Sequence, residues 1–143
     1  EIPGRPKHLS VYATEAYYTG PDCRVRRFEY RKDGFVSVRA GAESGELVTK
    51  PFALGQAAER LTVNFQTGDG GSIRVAIETP NGQAIAGYTL ADCKPLRGDS
   101  LQQQVAWKSG DISHLRRKHP AVRLRFELKK ADLYSLQFQP WLR

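Results

Sequence analysis

Methionine is absent from the 143 residues, and histidine and cysteine are scarce, with three and two residues. Cys23 and Cys93 lie far apart with no CxxC spacing, and His114 and His119 do not match a zinc-ligand pattern. No run approaches the roughly 18 apolar residues of a membrane span, and no signal peptide is visible. These absences argue against a zinc site and a membrane partner. The missing methionine leads us to expect a module excised from a longer protein.

What the chain does have is positive charge, with a net charge of +7 at pH 7 and a pI near 9.6. A surplus of this size favours anionic partners such as nucleic acid, acidic lipid or acidic polysaccharide. Hydrophobic residues make up 40% of the chain, which is ordinary for a folded domain with a core. We therefore predict one domain over residues 1–143.

Short β-rich runs alternate with Gly, Asn, Asp and Pro along most of the chain. In Val122–Lys129, VRLRFELK, apolar and charged residues alternate, so a strand there would bury one face and expose the other. Arg60–Gln66 and Ser72–Glu78 read as two further strands, with GDGG at Gly68–Gly71 as the tight turn between them. Many short strands at this spacing predict an all-β fold, an antiparallel β-sandwich.

The polar positions of these strands form an unusual set if they share one sheet. Guanidinium and amide groups predominate, and they are rich in hydrogen-bond donors that suit carboxylate, sulfate and hydroxyl groups. Glu78 and Glu127 lie on the same face. The residues that we predict to form a binding surface there are Asn64, Gln66, Arg74, Gln104, Lys108, Arg123 and Arg125.

Catalytic and metal signatures are weak. Several carboxylates are present, but none forms an evident pair of the kind a glycosidase needs, and no G-x-S-x-G elbow occurs. We therefore predict that the chain is not an enzyme. GDGG and LADCKPLRGD offer oxygen ligands for calcium but lack the ligand density of an EF-hand loop. We predict no cofactor, with a structural calcium ion as the alternative.

Two basic runs, Arg24–Arg27 and Arg116–His119, raise the question of nucleic acid. A single-strand binder interleaves such charge with stacking aromatic residues, and no such motif occurs here. Glu29, Glu78 and Glu127 also share strands with arginines and would repel phosphate. We predict no nucleic-acid partner.

The aromatic residues within predicted strands are expected in the core. Trp107 shares a strand face with Val105, in a strand predicted over Gln103–Lys108. Tyr134, Leu136 and Phe138 form a second apolar stripe.

Three stretches resemble one kind of module: RKDGFVSVRAG with GELVTKPF, LTVNFQTGDGG with the segment through VAWKSG, and VRLRFELKKADLYSLQF. Over residues 9–138 they are similar to a C-terminal β-sandwich module of polysaccharide-degrading bacteria of planctomycete type. That module follows glycoside-hydrolase-like catalytic domains, often five-bladed propellers. The elements that carry the resemblance are Asp33–Phe35, Gly70–Gly71, Asp92–Cys93, Gly98–Asp99 and Asp132–Ser135.

The resemblance implies a jelly-roll-like sandwich with an ancillary role beside an enzyme, in a secreted or periplasmic parent protein. It assigns no binding residues. Cys93 lies within the resembling stretch and Cys23 matches none of its elements, which favours free thiols over a disulfide.

Two functions follow as expectations. The first is a carbohydrate-binding module for an anionic polysaccharide, sulfated or uronic, bound by the polar sheet face. The second is a structural domain that packs against the catalytic domain of the same chain. A third arrangement places the sugar site in the loops at one end of the sandwich, at Tyr17, Tyr18, Lys94, Arg97 and Trp141.

Overall fold

The computed structural model of the chain describes residues 2–56 and 58–140. Strands account for 54% of it and helix for 3%, so the fold class is all-β, as the alternating patterns predict. The chain divides into two compact units, Glu1–Val36 and Ser37–Arg143. The elements are β1 His8–Glu15, β2 Arg24–Arg31, β3 Val38–Ala40, β4 Gly45–Val48, β5 Arg60–Glu78, β6 Asp99–Gln104, α1 Leu115–Lys118 and β7 Arg123–Gln139.

The first unit consists mainly of a two-stranded antiparallel hairpin. β1 and β2 pair over eight positions, with His8 opposite Arg31 and Glu15 opposite Arg24. Glu15 Oε2 forms ion pairs with Arg24 Nε at 2.9 Å and with Arg26 Nη2 at 3.0 Å. Arginines of the basic run Arg24–Arg27 therefore have acidic neighbours within their own hairpin.

The second unit is built on one curled antiparallel sheet with the order β3-β7-β5-β6. β4 pairs with β7 on the same edge as β3, so β3 and β4 form one interrupted edge strand. β5 and β7 have 19 and 17 residues and pair along nearly their whole lengths. These two long strands place most of the polar residues that the sequence singles out.

The prediction of a tight turn at Gly68–Gly71 is wrong, because β5 runs through this segment. Thr67 lies opposite Ala131 and Ser72 lies opposite Lys129, so four residues of β5 bulge out opposite the single residue Lys130. Gly71 permits this bulge, since a Cβ there would lie 2.5 Å from the Lys130 carbonyl oxygen. The bulge bends the sheet.

β7 and the neighbouring edge strand also depart from regular geometry at this bend. Lys130 has a φ of 42°, in the left-handed region, and its N–H donates to the Gly41 carbonyl at 2.7 Å. Residues 41–44 leave the sheet between β3 and β4, opposite Lys129 and Lys130. The three strands are thus irregular at one level of the sheet, which we call the kink.

The core of the second unit lies on one face of this sheet. Alternate residues of β5 and β7 pack there, together with apolar residues from the irregular segments that follow β5. Trp107 is 6% exposed, and its indole N–H donates to the Val75 carbonyl at 2.7 Å, which confirms its predicted place in the core. Leu115 anchors the short helix α1 in the same cluster. The largest fully buried side chains are Tyr88, Phe65, Phe126, Leu61, Ile73, Ile77, Ile112, Leu115, Leu124 and Leu128.

The expectation of free thiols is confirmed. Cys23 is exposed and Cys93 is buried, and neither forms a disulfide. The β-sandwich arrangement and the single module over residues 1–143 stay predictions.

The only helix of the described residues, α1, has four residues, far fewer than the roughly 20 that a membrane-spanning helix needs.

Candidate functional site

The charged face predicted from VRLRFELK exists, and the register of β5 and β7 decides its chemistry. Glu78 lies directly opposite Arg123, and Arg74 lies directly opposite Glu127. Residues opposite each other on neighbouring strands share a face, so every one of these arginines has a carboxylate within reach. The polar face is therefore a ladder of opposite charges.

Glu78 is the centre of this ladder. Its Oε2 accepts from Arg123 Nε at 2.7 Å, and its Oε1 accepts from Arg125 Nε at 2.6 Å. Arg125 also donates through Nη1 to Glu46 Oε2 at 2.7 Å. The Glu78 side chain is only 6% exposed. We call this group of four residues the Glu78 clamp; it joins β4, β5 and β7.

The clamp changes the ionisation of its members. Burial acts to raise the pKa of Glu78, but hydrogen bonds and charge from Arg125 and Arg123 outweigh it, so the pKa lies below its ordinary value. The hydrogen bond and charge of Glu78 raise the pKa of Arg125. Both effects favour the charged pair.

The remaining arginine of this face is held more loosely. Arg74 Nη1 lies 3.9 Å from Glu127 Oε1, and both side chains are substantially exposed. Three arginines and three glutamates thus balance on this part of the face, since Glu46 lies opposite Glu127. These six side chains therefore leave no net charge of their own, and the exposed Lys129 is the next outward residue of β7.

The four other predicted binding residues lie elsewhere. Asn64 is 2% exposed, whereas Gln66 and Gln104 are exposed on β5 and β6. The prediction that Lys108 lies on a sheet strand is wrong, because β6 ends at Gln104. Lys108 instead forms an ion pair with Asp92 at 3.2 Å. The structure therefore brings the three arginines together and separates them from Lys108.

A hollow of about 420 Å³ lies at the kink, on the strand segments where the pairing is irregular. Small residues, Ala40, Gly41, Ala42, Gly68 and Ala131, make room for it. Its polar lining contains one residue of the predicted surface, Gln66, and four that the sequence did not single out for binding: Arg39, Lys130, Asp132 and Tyr134.

Asp132 organises the polar groups of the hollow. Its Oδ1 accepts from Arg39 Nε at 2.8 Å and from the Ser37 hydroxyl at 2.8 Å. Burial acts to raise the pKa of Asp132, but these donors and the charge of Arg39 lower it overall. The carboxylate therefore stays ionised at neutral pH and is a good acceptor for further hydrogen bonds.

Tyr134 lines the hollow because β7 contains an extra residue at this point. Leu133 lies opposite Phe65 and Ser135 lies opposite Asn64, so Tyr134 has no partner position on β5. Its hydroxyl is 3.5 Å from Gln66 Oε1. The predicted core stripe is therefore only partly right: Phe138 packs against the core, Leu136 is 37% exposed, and Tyr134 faces the hollow.

The remaining candidates from the sequence are a metal site and a sugar site in the loops. Among the described residues, no three His, Cys, Asp or Glu side chains form a group that could hold a metal ion. Tyr17 and Tyr18 belong to the first unit, whereas Lys94 and Arg97 belong to the second. Arg97 donates to the Gly71 carbonyl at 3.0 Å. Trp141 lies outside the described residues.

A comparison of the chain with known protein families, with curated proteins and with solved structures finds no match.

Proposed function

We propose that the chain is a non-catalytic carbohydrate-binding module, a jelly-roll-like β-sandwich that recognises an anionic polysaccharide, sulfated or uronic. The hollow at the kink carries this proposal. It gathers an amide, a guanidinium, an ammonium, a carboxylate and a phenol around one space of about 420 Å³. A sugar residue presents hydroxyls in several directions, and this mixture of donors and acceptors complements them.

Each polar group of the hollow has a role in this proposal. Asp132 accepts from sugar hydroxyls, and Gln66 both donates and accepts. The ring of Tyr134 offers an apolar surface to the C–H groups of the sugar. Arg39 and Lys130 outnumber the single carboxylate of the lining, so the net charge of the hollow favours an acidic sugar.

The carboxylate of the hollow is better suited to binding than to catalysis. Glycoside hydrolysis needs two carboxyl groups, one of them with a raised pKa, so that it can donate a proton. Asp132 has a lowered pKa and is the only acidic residue of the described lining. This supports an ancillary role beside a catalytic domain of the same parent, in a secreted or periplasmic bacterial protein.

The test is affinity gel electrophoresis of the chain against neutral, uronic and sulfated polysaccharides. At least one acidic polymer should retard the chain, and Gln66→Ala and Tyr134→Ala should each reduce the retardation. Tyr134→Phe should keep most of it, because the ring remains. Gln102→Ala is the matched control, since it removes an exposed amide of β6 that lies outside the hollow and outside the predicted binding surface. Binding that is unchanged in Gln66→Ala and Tyr134→Ala would refute this site.

A structural domain that packs against the catalytic domain is the second candidate, and the Glu78 clamp favours it. In the clamp, Arg123 and Arg125 join three strands through their ion pairs, and these arginines are therefore not free to bind a ligand. If no polysaccharide retards the folded chain, this second function is preferred.

A further inference from the structure

The surplus positive charge of the second unit is most concentrated at α1. Arg116, Arg117 and Lys118 are consecutive and exposed. Within the part of the chain that the structure describes, Arg117 and Lys118 have no ion pair, and the guanidinium of Arg116 donates a hydrogen bond to the backbone carbonyl of Gln56. We call these three residues the basic turn.

The local sequence explains why these cations lack acidic partners. No Asp or Glu occurs between Ile112 and Phe126, a stretch that contains five Arg and Lys residues. Arg123 and Arg125 nevertheless acquire Glu78, because β5 runs beside them. A single helical turn has no paired neighbouring strand, so the basic turn acquires no such partner.

The helix is anchored from its inner side. Leu115 is 2% exposed and packs in the core, and the His119 N–H closes the turn on the Leu115 carbonyl at 2.7 Å. Successive residues of a helix are about 100° apart, so the three cationic side chains diverge. Diverging cations suit a polymer with repeated anionic groups better than one small anion, which needs converging donors.

We propose that the basic turn is a second contact for the polysaccharide, and that it binds sulfate groups spaced along a sulfated polymer. This inference deepens the proposed function and rests on it. Guanidinium groups pair well with tetrahedral oxyanions through two parallel hydrogen bonds. Arg116 and Arg117 supply such groups, and Lys118 adds a point charge.

A nucleic acid would use the same charge, but it would also need exposed aromatic rings in the unit that carries the basic turn. Single-strand binders stack bases on exposed rings beside their basic residues. From Ser37 onward, no aromatic side chain of the described residues is among the strongly exposed apolar ones.

The test compares a sulfated galactan with the same galactan after desulfation, by titration calorimetry at low and high salt. The basic-turn variant is Arg117→Ala with Lys118→Ala, the single variant is Lys118→Ala, and the control is Lys50→Ala, which removes one charge from an exposed position outside both the hollow and the basic turn. The basic-turn variant should bind the sulfated polymer about ten-fold more weakly. Its binding should also depend less on salt, whereas binding of the desulfated polymer should not change.

The outcomes separate this inference from the proposed function. If Gln66→Ala weakens both polymers while the basic-turn variant binds like the control, the hollow stands and the inference is wrong. If only the basic-turn variant loses affinity, the hollow is not the site, and the basic turn is the principal contact. A single-stranded oligothymidine that displaces the sulfated galactan at lower concentration would overturn the choice of a polysaccharide.

Discussion

The Glu78 clamp and the basic turn contain the same kind of residue and differ in what lies beside it. In the clamp, Arg123 and Arg125 share a buried carboxylate that a neighbouring strand supplies. In the basic turn, Arg117 and Lys118 have no acidic partner among the described residues. Strand pairing gives a charged side chain a defined neighbour, whereas an isolated helical turn leaves it in solvent. A count of arginines in the sequence therefore does not locate the positive surface.

The largest expected effect comes from removing the centre of the clamp. Glu78→Gln removes the carboxylate that Arg123 and Arg125 share, at positions where their side chains are 23% and 26% exposed, and leaves Arg125 only its pair with Glu46. We expect a loss of about 2 to 3 kcal/mol in the free energy of unfolding, below the full cost for a fully buried pair. Urea denaturation measures it.

Glu127→Gln is the control for that variant, because Glu127 is more exposed and lies 3.9 Å from Arg74. It should cost less than about 1 kcal/mol. Equal losses for the two variants would mean that burial does not distinguish the clamp from an ordinary surface pair.

Acid should remove part of the same interaction. Because the folded chain holds the pKa of Glu78 below its ordinary value, its stabilising contribution is complete above the unfolded pKa of about 4.3. That contribution is lost as the pH falls through the lower, folded pKa. Urea midpoints measured from neutral pH to about pH 3 should fall more steeply in the natural chain than in Glu78→Gln. The variant keeps a smaller acid dependence, since Asp92, Asp111 and Asp132 also have lowered pKa values.

A smaller effect should separate the arginines of the sheet face from each other. Arg125 contacts two carboxylates, at 2.6 and 2.7 Å, whereas Arg74 has one at 3.9 Å. Arg125→Ala should therefore lower the free energy of unfolding by about 1 to 2 kcal/mol, and Arg74→Ala by less than about 0.5 kcal/mol. The reverse order, in thermal or urea unfolding, would contradict the role of the clamp.

The smallest effect on stability should come from the basic turn. Arg117→Ala with Lys118→Ala removes no ion pair to a described residue, and both side chains are exposed, so stability should change by less than about 0.5 kcal/mol. The same variant is expected to lose affinity for the sulfated galactan. A large loss of stability would show that these residues hold the helix in place, and the binding data would then need the Arg117→Lys variant as a charge-preserving control.

The alternation of apolar and charged residues predicted which side chains of the regular strands are buried. It did not predict the structure where the strands become irregular. Leu124, Phe126 and Leu128 alternate with charged residues, and all three are buried as predicted. The hollow was not foreseen, because it depends on three neighbouring interruptions at the kink. The sequence contained a sign of it: alternation breaks at Lys129–Lys130, and GDGG reads equally well as a bulge and as a turn.

The ion pairs show the same limit. Glu78 and Arg123 are 45 residues apart, and only the register of β5 against β7 makes them partners. Glu46 reaches Arg125 only because β4 lies along the other edge of β7. If surface charge is estimated from the strand pattern alone, Arg123 and Arg125 are counted as free cations, although the folded chain neutralises them.

By itself, the sequence determined the all-β class, the buried face of the long strands and the net positive charge, since these follow from side-chain period and composition. Only the tertiary structure decided which cations are neutralised, where the sheet bends and which polar groups line the hollow. Those outcomes depend on distances between residues remote in the chain, and such distances are set by strand register rather than by local pattern.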